Sequence, residues 1–165
     1  MRPRLLIPWS SSEKWLEAIS AAGMLGPIWI VAHSWGHLPE RIPRHYNFAG
    51  EVDAYGGKEL LLVLIAIHLS MWLGLTILSR YPHIYNYPLQ ITEQNAARQY
   101  RLARQLLIFV KTVVTWLFMG IIGHIVLTGL GHLYPLWPVI VIPLLLLFVA
   151  PIIYLVRAVG SNDGR

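Results

Sequence analysis

Cysteine is absent from this chain of 165 residues, and charged residues make up only 13% of it. The first absence excludes disulfides, thiolate metal sites and cysteine nucleophiles. The second, beside a hydrophobic content of 56%, excludes an ordinary soluble domain. Also missing are a Ser/His/Asp triad, a phosphate-binding loop and paired carboxylates within the apolar runs, so no catalytic residue is assigned. The start does not read as a cleavable signal peptide. Arg2 and Arg4 resemble its basic region, but apolar residues 5–9 are too few, and Glu13, Lys14 and Glu17 follow at once. Met1 is therefore expected to be retained and the first helix to stay in the membrane.

What the chain does have is long apolar runs. About 18 or more such residues, at 1.5 Å rise each, cross about 30 Å of hydrocarbon. Four runs qualify, at 18–38, 59–79, 108–130 and 136–156. Nothing is left over for a soluble domain, so residues 1–165 are expected to form one all-α, four-helix integral membrane domain. Strands are not expected, because backbone in lipid must be satisfied within a helix or a closed barrel, and 139–147 is apolar on every side rather than alternating.

The formal charge of +5 invites a nucleic-acid reading, but its distribution favours a membrane topology. With the N-terminus cytoplasmic, the inner side holds Arg2, Arg4, Lys14, Arg80, Arg98, Arg101, Arg104, Lys111, Arg157 and Arg165. The outer side holds Arg41, Arg44 and Lys58. Ten against three is a clear positive-inside bias. Both termini and segment 80–107 are thus expected inside, and loop 39–58 outside, in the cell membrane.

Ser10-Ser11-Ser12-Glu13 fits a capping box starting a short helix before the first span. Tyr81, Tyr85 and Tyr87 cluster where the second helix leaves the membrane, with Pro82 and Pro88 breaking helical geometry. Thr92 is placed to cap a new amphipathic cytoplasmic helix that runs into the third span. On its flank Arg98, Arg101 and Arg104 recur every three residues to meet lipid headgroups, with Lys111 snorkelling back to join them. A docking surface for a cytoplasmic partner is the other reading of this helix. Pro143 and Pro151 should bend the fourth span, and Gly120, Gly123 and Gly131 should let neighbours approach the third.

Two groups of residues carry chemistry. The loop between the first two spans holds Arg44, His45, Tyr46, Asn47, Gly50, Glu51, Asp53, Tyr55 and Lys58, a density of opposite charges that a connector does not need. These are the candidate ligand-binding residues. The second group is histidine. Of seven, His33, His37, His45, His68, His124 and His132 fall in the outer half or beyond it. From helical rise, His33 and His124 lie roughly 8–9 Å below the outer boundary and His68 roughly 14 Å. Three readings stand: hydrogen bonds between helices; a divalent metal held by His33, His37, His45 and Asp53; and haem between His33 and His124. His33 and His124 are both expected to face the bundle interior.

The pattern Pro43-x-His45-Tyr46-Asn47-x-x-Gly50-x-x-Asp53-x-Tyr55-Gly56-x-Lys58, between two membrane helices, resembles the bacterial domain-of-unknown-function family shared with SdpI-type immunity proteins. Tyr85-Asn86-Tyr87-Pro88, Ile91-Thr92-Glu93-Gln94-Asn95-Ala96 and Arg98-Gln99-Tyr100-Arg101 are similar to the same family, so the likeness covers about residues 20–107. It implies a prokaryotic membrane protein and, in some relatives, protection from a secreted peptide toxin with signalling to a repressor. SdpI-type proteins carry further membrane segments beyond the four read here. The leading expectation is a membrane protein that binds a peptide, lipid or ion at its outer face. The rivals are an enzyme using a His/Asp-bound metal and an accessory subunit of a larger membrane complex.

Overall fold

The computed structural model describes residues 2–132 and 134–160. Its first helix, α1, spans Ser11–Ser34 and starts where the sequence placed the cap. The Glu13 amide donates to Ser10 Oγ at 3.3 Å, and the Ser10 amide donates to Glu13 Oε2 at 2.7 Å. No break separates the predicted short helix from the span; they are one helix of 24 residues. Pro27 inside it removes one backbone donor without ending it. At Gly23 a Cβ would come within 2.9 Å of Thr115 Cγ2, so only glycine permits this approach of α1 to its neighbour.

The loop between the first two spans is a β-hairpin, which corrects the expectation that strands would be absent. Strand β1, Arg41–Tyr46, pairs antiparallel with β2, Val52–Gly57. The register runs Arg41↔Gly57, Ile42↔Gly56, Pro43↔Tyr55, His45↔Ala54 and Tyr46↔Val52, with irregularities on either side of His45. The bar on open strands applies in hydrocarbon, and this segment lies beyond the helix ends. Asn47 closes the turn: its Oδ1 accepts from the Ala49 and Glu51 amides, both at 2.9 Å. Gly50, at φ +82°, supplies the left-handed residue.

Helix α2, Leu60–Leu78, follows, then a 3-10 turn at Pro82–Ile84. Helix α3, Ala96–Gly129, has 34 residues, roughly 51 Å of helix. The predicted amphipathic helix and third span are therefore continuous. It begins at Ala96 rather than beside Thr92, because Thr92 is held in a turn with Asn95. Helix α4, Trp137–Val159, closes the chain. Gly120 meets Val139 of α4 as expected of a small contact residue; Gly123 has no such neighbour.

All four helices are long and apolar enough to cross a membrane. Helix α3 is the hub, packing against α1, α2, α4 and β1. At the hairpin end the core joins Val31, Leu38, Ile42, Leu61, Ile122, Ile125 and Val126. Ile42, fully buried, is the plug that fastens the hairpin to the bundle. None of the apolar stretch of α4 is buried.

Candidate functional site

The bulge in β1 sets which hairpin side chains meet. His45 Nδ1 lies 2.6 Å from Asp53 Oδ1 across the strands, with 68% and 44% of the two side chains exposed. A pair this wet contributes about 1 kcal/mol or less to stability. Next to it Tyr46 turns inward, its ring tilted on that of His124 with centroids 5.3 Å apart. His124 is buried on α3, with Nε2 3.5 Å from Thr128 Oγ1. Burial pushes the Tyr46 phenol above its ordinary pKa.

Two clefts open at this junction. One, of about 380 Å³, lies between His45, Tyr46, Asn47, Phe48 and Asp53 of the hairpin and Leu136, Trp137 and Ile140 at the start of α4. The other, of about 540 Å³, is lined by Tyr46, Glu51, Tyr55, His124, Thr128 and Tyr134. Among the candidate loop residues, His45, Tyr46, Asn47, Gly50, Glu51, Asp53 and Tyr55 line one or both. Arg44 lines a separate surface hollow with Arg41, Asp53 and Tyr55. Lys58 is turned away, bonded to Glu40 at 2.9 Å with its ammonium over the Trp35 ring.

The proposed metal set is only half assembled. His45 and Asp53 touch, whereas His33 is exposed and stacked on Trp29 with ring centroids 5.3 Å apart, and His37 is exposed as well. Among the described residues no three His, Asp or Glu side chains gather to hold a metal ion. The expectation that His33 and His124 both face the interior fails at His33, because the phase of α1 turns it to the side that carries exposed Trp29. The haem pairing fails with it. His68 is buried and stacked on Phe118 at 5.0 Å, and among the described residues neither ring nitrogen has a hydrogen-bond partner. Its contribution is packing, not the interhelical hydrogen bond expected of it.

The opposite end holds a polar network that sequence reasoning missed. Arg104 does not reach headgroups: Nε and Nη2 donate to Glu13 Oε1 and Oε2 at 2.8 and 3.1 Å. Nη1 and Nη2 also donate to the Ile7 and Pro8 carbonyls at 2.8 and 2.9 Å, and Arg104 and Glu13 are almost fully buried. Lys111 does not snorkel. Its Nζ donates to Glu17 Oε1 at 2.6 Å and to Thr76 Oγ1 at 2.9 Å, joining α1, α2 and α3. Arg98 and Arg101 are exposed. The signal was in the spacing. Glu13 and Glu17, four apart, share one face of α1, and Arg104 and Lys111, seven apart, share one face of α3.

The fold thus defines a multi-pass helical membrane protein with a β-hairpin at one end and buried ion pairs at the other. The family described as a domain of unknown function, DUF1648, matches residues 22–69, from α1 through the hairpin into α2. A curated relative from Archaeoglobus fulgidus, named only as an uncharacterized protein, is 33% identical over 63 residues, covering 33% of this chain and 34% of that protein. The chain therefore spans about a third of the length of that relative. No solved structure matches the chain.

Proposed function

We propose that this chain is a binding or sensing protein of the cell membrane, with both termini cytoplasmic and the hairpin outside as the ligand-receiving end. One observation carries the reading. A structured hairpin, plugged into the core by Ile42, brings His45, Tyr46, Asn47, Glu51, Asp53 and Tyr55 to two clefts that face α3 and α4. A connector needs no such cavity, and clefts of this volume are in the range that holds small ligands or peptide side chains. The stretch matched by the domain-of-unknown-function family is centred on the same hairpin. The likeness to SdpI-type proteins adds a specific occupant, a secreted peptide toxin, with immunity as the outcome. An accessory role in a larger membrane complex is the second reading, favoured by α4, whose unburied apolar stretch is free to meet another membrane protein.

The test is survival of cells expressing the chain under challenge by membrane-active peptide toxins. Asp53→Asn and His45→Ala should abolish protection while leaving the melting temperature of the purified protein unchanged, because the pair they alter is exposed. Absence of protection by the wild-type chain, or parallel loss of protection and stability in both variants, overturns the reading.

A further inference from the structure

The charges of the hairpin are sorted by face. The larger cleft, of about 540 Å³, is lined by Tyr46, Tyr55 and Tyr134, by His124 and Thr128, and by a single carboxylate, Glu51; no lysine or arginine lines it. The cations of the hairpin are engaged elsewhere. Lys58 is paired with Glu40 above Trp35, and Arg41 donates to the Tyr55 carbonyl at 3.3 Å. Arg44 lines the separate hollow. In the adjoining cleft the lining charge is again acidic, Asp53 beside His45. Trp137, the first residue of α4, lines that adjoining cleft and not this one.

Three tyrosines and one carboxylate favour a particular ligand. Ring faces present the negative side of their quadrupole and attract a weakly hydrated cation. A hard metal ion needs six or more oxygen ligands in a tight shell, which one carboxylate in so wide a cleft does not provide. Glu51 keeps acceptor capacity, since one of its oxygens accepts from Asn47 Nδ2 at 3.0 Å and the other has no bonded partner among the described residues. We propose that this cleft is a cation site that receives an alkylammonium group, primary or quaternary, against Glu51 and the three tyrosine rings. The inference rests on reading the hairpin end as the ligand-binding end and specifies the chemistry of the ligand. The ammonium has two sources, the headgroup of an outer-leaflet lipid or a soluble amine such as a lysine-bearing peptide.

The probes are choline and its neutral isostere 3,3-dimethyl-1-butanol, added to about 100 mM to the full chain in phosphatidylglycerol nanodiscs at constant ionic strength, with melting temperature as the readout. Choline should raise the melting temperature and the isostere should not. Glu51→Gln keeps the acceptor for Asn47 and should weaken the choline effect at least about fivefold; Tyr134→Ala should remove it. Equal shifts with both probes, no shift with choline, or an undiminished choline effect in Glu51→Gln overturns the cation site. If the isostere alone binds and Tyr134→Ala abolishes that binding, the cleft is a ligand site of apolar chemistry, and the reading of the hairpin end survives the loss of this proposal. Phosphatidylethanolamine nanodiscs separate the sources. Suppression of the choline effect there assigns the site to a lipid amine, and its persistence assigns it to a soluble one.

Discussion

At Lys111 an ammonium group is held 2.6 Å from Glu17 and 2.9 Å from Thr76, 1% exposed, just inside the apolar stretch of α3. Hydrocarbon cannot solvate either charge, so each is tolerable only while the other is present. Lys111→Met alone should therefore lower stability by about 3–5 kcal/mol, because it leaves the Glu17 carboxylate unpaired. Lys111→Met combined with Glu17→Gln should recover most of that loss. Denaturant titration in detergent micelles measures both; a harmless single substitution would mean that water reaches the pair. A lone lysine near the end of an apolar run reads as a snorkelling residue, and the sequence reading assigned it so. What makes it a buried partner is the carboxylate ninety-four positions earlier, and only the packing of α1 on α3 brings the two together. The grouping of His45 with Asp53 was legible because both belong to one short loop. His33 was not, since depth follows from helical rise while the direction a side chain faces follows from how the helix packs.

The elements show the same division. All four apolar helices were legible from length and hydropathy, since the bilayer imposes that pattern directly. The hairpin was not. Pro43 within β1 and the irregular register around His45 break the two-residue alternation that announces a strand. The continuity of α3 was legible, since an amphipathic helix was read as running into the third span; what its first turns face was not, because their polar residues meet the N-terminal segment instead of lipid. There Tyr100 donates to the Pro3 carbonyl at 3.0 Å and Arg104 to those of Ile7 and Pro8. The segment after α2 belongs to this same end. Tyr85 donates to the Leu78 carbonyl at 2.9 Å and Tyr87 to that of Pro82 at 2.7 Å. Burial raises both phenols well above the ordinary tyrosine value. A raised folded-state value means that the neutral form is favoured by folding. Its contribution is complete below the unfolded value of about 10 and is lost as pH rises above it. Thermal stability should therefore be insensitive to these groups up to about pH 10 and fall beyond it, and Tyr87→Phe should reduce the slope of that fall. An unchanged alkaline slope in the variant would show that Tyr87 ionises as freely as in the unfolded chain.

For the whole molecule, the proposed orientation rests on a charge count that the structure alters. Arg104 and Lys111 belong to buried pairs with Glu13 and Glu17, so they do not act on the anionic membrane surface in the folded state. Without them the end opposite the hairpin still carries seven basic residues among the described ones, against three at the hairpin end. One of those three, Lys58, is itself paired with Glu40. The bias that directs short loops to the cytoplasm is counted on Lys and Arg and owes little to acidic residues, so it persists. The chain contains no cysteine, which makes single introduced thiols unambiguous reporters. Phe48, at the hairpin tip and 98% exposed, is a better position than Gly50, whose φ of +82° would strain a cysteine. Phe48→Cys should react with a membrane-impermeant maleimide on intact cells. Arg98→Cys, on the exposed flank of α3, should react only after the membrane is opened. The reverse pattern would place the hairpin inside the cell, where a secreted toxin does not reach it. The clefts beneath it would then have to be filled from the cytoplasm.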